Sequence, residues 1–97
     1  MLAEQGQTEG AIEEYDKAIR LEPQYAHAYN NRGRAYHHLG QHRRAIQDYR
    51  EAIKLDPQDA LPFHNRGICY FELHESQRAI QDFDEAIRLD PQLVSCL

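Results

Sequence analysis

A chain of 97 residues with 41% apolar and 28% charged side chains has the makeup of one small soluble domain. It has no apolar run near the ~18 residues of a membrane helix. It has no basic, then apolar, leader at its start, and its two cysteines, Cys69 and Cys96, make no disulfide or metal framework. A net charge of −5 argues against general nucleic-acid binding.

In chain order, the residues up to Pro23 hold one predicted helix, with Gly10 in its interior at a cost of about 1 kcal/mol relative to Ala. Over 26–39, Tyr29, Arg32, Gly33, Tyr36 and Leu39 recur at spacings of three and four, the stripe of an amphipathic helix. Leu39-Gly40-Gln41 breaks it, Gly being able to take left-handed dihedrals after a helix end. Ala45, Ile46, Tyr49, Ala52, Ile53 and Leu55 mark the next helix, which Pro57 closes near Leu55. Phe63, Arg66, Gly67, Tyr70 and Leu73 repeat the first pattern; Ala79, Ile80, Phe83, Ala86, Ile87 and Leu89 repeat the second. Between them Leu73-His74-Glu75 stands in place of the glycine turn, so a less tightly specified turn is expected there. Strands would need sustained alternation, and none occurs.

These elements obey a period of 34. Pro23, Pro57 and Pro91 each follow an acid and precede Gln, and residues 24–57 and 58–91 are identical at 18 of 34 positions. The period divides the chain into a partial repeat 1–23, full repeats 24–57 and 58–91, and the start of another at 92–97. One such unit cannot bury its own apolar face and must stack on a neighbour.

Tyr29-x2-Arg32-Gly33-x2-Tyr36, Ala45-x3-Tyr49, Ala52 and Pro57 resemble the tetratricopeptide repeat pattern, and so do Phe63-x2-Arg66-Gly67-x2-Tyr70, Ala79-x3-Phe83, Ala86 and Pro91. The first unit keeps Gly6, Ala11-x3-Tyr15, Ala18 and Pro23. Arg32 and Arg66 stand where the family usually has Leu, an Asn-Arg-Gly variant of the repeat. The resemblance implies an all-α fold: a right-handed superhelical stack of antiparallel helix pairs, with five full helices and terminal stubs. Gly33, Gly67 and the alanines would let paired helices approach closely. Apolar surface is expected at the ends: Leu2, Ile12, Tyr15 and Ile19 at one, Ile80, Phe83, Ile87, Leu89 and Leu97 at the other.

Members of the family bind peptides on a concave face lined by the first helix of each unit. A helical wheel places His27, Asn30, Asn31, Arg34, His37 and His38 on that face in one unit. Leu61, His64, Asn65, Ile68, Phe71 and Glu72 hold the corresponding places in the next. From Tyr25 to Gln47 there are four Arg, four His and no acid, a stretch suited to steering an acidic segment. Asn31 matches the central Asn of the family's carboxylate clamp, but the flanking His64 and Ile68 are not cations, so that clamp is not expected.

Six His raise the question of a metal. His37 and His38 point about 100° apart, His38 and His42 straddle the Gly40 turn, and His37 with His64 would give two ligands without a third. No metal site and no cofactor are therefore expected. Cys69 falls at a small-residue packing position and reads as a buried thiol; Cys96 is near a free end. Asp82, Asp84 and Glu85 read as a solvated outer face, and nothing pairs a nucleophile with a base and an orienting group. The expected function is non-catalytic: an intracellular module holding a peptide segment of a protein partner, with no nucleic-acid or membrane partner. The alternative is a repeat fragment that associates with itself through uncapped ends.

Overall fold

The structure, a computed structural model, describes residues 2–92, with side chains from residue 6 onward. Five helices follow one another: α1 Leu2–Leu21, α2 Ala26–His38, α3 His42–Leu55, α4 Ala60–Glu72 and α5 Ser76–Leu89. No strand occurs among the described residues, and no helix is long and apolar enough to cross a membrane. Each helix packs on its neighbours in sequence, in a stack of 33 × 30 × 22 Å.

Two kinds of joint alternate. At Pro57 and Pro91 the preceding Asp side chain closes the turn, whereas at Pro23 the Tyr25 N–H donates to the Glu22 carbonyl. Asp56 Oδ1 accepts from the Gln58 N–H (3.3 Å) and Asp90 Oδ1 from the Gln92 N–H (3.1 Å). Asp59 then caps α4, its Oδ1 accepting from the Leu61 N–H at 3.1 Å. At the other joints the chain leaves the helix through a left-handed residue, Gly40 at φ 80° and His74 at φ 64°. The Gly40 N–H donates to the His37 carbonyl and the Gln41 N–H to that of Tyr36; the His74 and Glu75 N–H groups repeat this toward Phe71 and Tyr70. The His74 turn, expected to be looser, thus has the same form as the Gly40 turn. A side chain at that φ costs about 1–2 kcal/mol, which the two turn hydrogen bonds and the packing of Leu73 oppose.

The N-terminal end departs from the expected stub. Gly6, aligned by the period with the turn residue Gly40, lies inside α1, which runs unbroken through it. A turn there would fold back only a few residues, with too little surface to pack. Continuing the helix satisfies their backbone groups at once.

Within a pair the helices touch through glycine. A Cβ on Gly33 would stand 2.7 Å from Tyr49 Cε1, and one on Gly67 2.8 Å from Phe83 Cε1, so each aromatic ring packs directly on bare backbone. Ala45, Ile46, Tyr49, Cys69, Tyr70 and Ala79 form the core, with Tyr36, Leu73 and Phe83 packed at its edge.

Arg32 and Arg66 reach into the same seam. Arg32 Nε and Nη2 donate to the two oxygens of Asp48 (2.8 and 2.7 Å), and Arg66 grips Asp82 with identical distances. Asp82 is therefore a buried partner of the neighbouring helix, not part of a solvated face; of the three acids Asp84 is exposed and Glu85 half-buried. An arginine in an apolar stripe brings its own requirement for a carboxylate. Arg32 has a second one, Asp16 of α1, at 2.8 Å.

Of the apolar residues expected to be bare at the ends, Ile80 is 57% exposed, whereas Ile12, Tyr15, Ile19, Phe83, Ile87 and Leu89 are partly covered. Ile46, the counterpart of Ile80 one period earlier, is only 5% exposed because α4 packs over it. The Leu2 side chain, Leu97 and Cys96 lie outside the described residues.

Candidate functional site

The face expected to bind is built by α2 and α4, which run side by side across the unit boundary. Its residues have different surroundings. Asn30 is buried, and its Oδ1 accepts from Asn65 Nδ2 at 3.2 Å, so it ties the two helices together beneath the surface instead of facing a ligand. His64 leans toward its own pair, its ring 5.8 Å from that of Phe83, and His27 sits at the rim against Tyr25. Asn31, Ile68 and Asn65 are half-buried; Leu61 and Phe71 are exposed, Phe71 at 64%. His37 and Glu72, on different helices, meet through Nε2 and Oε1.

Arg34, His37, His38, Asn65 and Tyr49 line an open cavity of about 380 Å³ between the helices. Arg34 and His38 also form one wall of a second, about 370 Å³, between α1 and α2, with Asn31, Ala35, Ala11 and Tyr15. The arginines of the basic stretch are used differently. Arg32 is held by Asp48 and Asp16, Arg43 lies 3.4 Å from Glu75, and Arg44 covers the Tyr36 ring. Arg34 makes no ion pair among the described residues and is exposed between the two cavities. At the cavity floor Tyr49 is fully buried, and burial raises its hydroxyl above the ordinary tyrosine range, with Arg34 opposing.

A second cluster forms where α2, α3 and α4 meet. Ligand atoms of His37, His42 and Cys69 all lie within 4.8 Å of one another. The Gly40 turn folds the start of α3 back beneath the end of α2, so the two imidazoles come to 5.2 Å between centroids. Cys69 joins them from α4 and is fully buried, which pushes its thiol up to about 12. The spacing in the sequence had set His37 with His64 and His42 with His38, not His37 with His42. The signal for His42 was the left-handed turn itself, which returns residue i+5 to residue i.

The family model described as Tetratricopeptide repeat matches residues 26–59 and 60–93, and one described as TPR repeat matches residues 1–40. No curated protein sequence matches. Among solved structures the chain is similar to the Arabidopsis OM64 TPR domain, with 31% identity and a TM-score of 0.87 over 90% of this chain and 72% of that one. It is also similar to the second TPR of Spaghetti (RPAP3) bound to HSP90 peptide SRMEEVD, with 31% identity and a TM-score of 0.84 over 90% and 81%. MamA, at 26% identity and a TM-score of 0.84, is matched over 92% of this chain, which spans about half (52%) of that protein.

Proposed function

Because this chain belongs to the tetratricopeptide repeat family, we propose that it is a non-catalytic interaction module whose α2–α4 face holds an acidic peptide segment of a partner protein. One observation carries this reading: Arg34 is a cation without a carboxylate partner among the described residues, set between two open cavities and flanked by His38 and Asn31. The exposed Leu61 and Phe71 offer apolar contacts on the same face. Arg34 would meet a carboxylate side chain, with Asn31 and Asn65 supplying amide donors. Peptide-bound relatives such as the Spaghetti domain lend support. His64 and Ile68 leave no cation where the family's clamp would grip a chain-terminal carboxylate, so acidic side chains carry the recognition here. Association of copies through open ends is the second reading, favoured by the exposure of Ile80.

Fluorescence anisotropy with labelled SRMEEVD tests the first. The chain is expected to bind it with salt-sensitive affinity, little changed by amidating the peptide's C-terminus. Replacing Asn31 and Arg34 together by Ala is expected to weaken binding about tenfold or more, the loss of one charge-assisted contact, with helicity by circular dichroism unchanged. No binding by the native chain, or equal binding by the double variant, would overturn the proposal.

A further inference from the structure

We propose that His37, His42 and Cys69 hold one zinc(II) ion at the junction of the two full units. Three different helices supply the ligands: His37 near the end of α2, His42 opening α3, and Cys69 within α4. Their ligand atoms already lie within 4.8 Å of one another. Zinc bonds of about 2.0–2.3 Å put ligand atoms roughly 3.3–3.8 Å apart, so side-chain rotations of about an ångström close the set.

Two further observations point the same way. His42 Nδ1 is buried without a hydrogen-bond partner, a position that a folded protein normally fills. His37 Nε2 contacts the Glu72 carboxylate, the kind of outer partner that orients metal-bound imidazoles. Two imidazoles and a thiolate select a borderline-to-soft ion and disfavour magnesium or calcium. An open cavity of about 420 Å³ bordered by His42 and Leu73 lies on the His42 side of the cluster. On binding, the thiol gives up its proton to solvent and the thiolate takes the ion, so one proton leaves for each zinc bound.

The period argues that the site is single. One repeat away from Cys69 stands Ala35, away from His42 stand Thr8 and Ser76, and away from His37 stands Phe71. Among the described residues, this junction alone brings such a ligand set together. Those counterparts also supply substitutions that the fold already accepts at equivalent places: Cys69→Ala and His42→Ser.

The test is a cobalt(II) titration of the full chain followed by zinc competition. The native chain, and equally its Cys96→Ser variant, is expected to bind one cobalt with a thiolate-to-cobalt charge-transfer band that zinc removes. Cys69→Ala is expected to lose that band, and both it and His42→Ser to bind zinc more than about tenfold more weakly by calorimetry. Circular dichroism confirms that each variant is folded, and His42→Ser decides alone if Cys69→Ala is not. A native chain without the band, a band that survives in Cys69→Ala or vanishes in Cys96→Ser, or zinc affinity unchanged in folded His42→Ser would overturn the proposal.

Discussion

Tyr49→Ala is expected to lower the unfolding free energy by about 3–5 kcal/mol, the range for emptying a large aromatic site in a packed core. The ring is 0% exposed and lies against the bare backbone of Gly33, which offers no side chain on that side to fill the space. A domain of this size has a total stability of about 5–15 kcal/mol, so the variant is expected to be largely unfolded or to melt well below the native chain. Tyr49→Phe separates packing from chemistry. The Tyr49 hydroxyl is buried without a partner, and Phe83 holds the equivalent place one repeat on. Removing an unsatisfied hydroxyl while keeping the ring is expected to leave stability unchanged or raised. Urea unfolding of both variants checks this; equal losses would mean that the ring does not carry the packing.

The buried ion pairs give the second large effect, and their difference is the informative part. Asp82→Ala leaves the Arg66 guanidinium in the seam with no carboxylate partner among the described residues, at an expected cost of about 3–4 kcal/mol. Asp48→Ala removes the same two bonds from Arg32 but leaves Asp16, so about 2–3 kcal/mol is expected. Arg50 stands one repeat after Asp16, which is why Arg66 has no such second acid from the preceding unit. Burial of both acids, and the pull of these partners that raises both guanidinium groups above their ordinary range, agree with pairs formed out of bulk water. Equal losses in the two variants would show that Asp16 gives Arg32 no support.

Much of this fold was legible because the chain repeats itself. Prolines at a period of 34 fixed the joints, and the stripes Tyr29-Arg32-Gly33-Tyr36 and Ala45-Ile46-Tyr49-Ala52 gave helices that the structure contains. The burial of Cys69 followed from its place among small residues. What a single-helix wheel could not show was contact between helices. It put Asp82 outside because charge usually faces water, yet an arginine inside the stripe of α4 had to find a carboxylate. The clue was the repeated spacing of 16, Arg32 to Asp48 and Arg66 to Asp82. The wheel likewise set Asn30 among the groove residues, although the close approach of α4 covers it. Cys69 and His42 were read as separate local features, and only the packing of three helices brings them beside His37.

Amide chemical-shift mapping of the labelled chain during titration with SRMEEVD tests whether a peptide lies across α2 and α4. Shifts concentrated at Asn31, Arg34, His38, Asn65, Ile68 and Phe71 are the expected result. Shifts confined to the outer faces of α1 and α5, around Ile12 and Ile80, or no shifts at all, would contradict it.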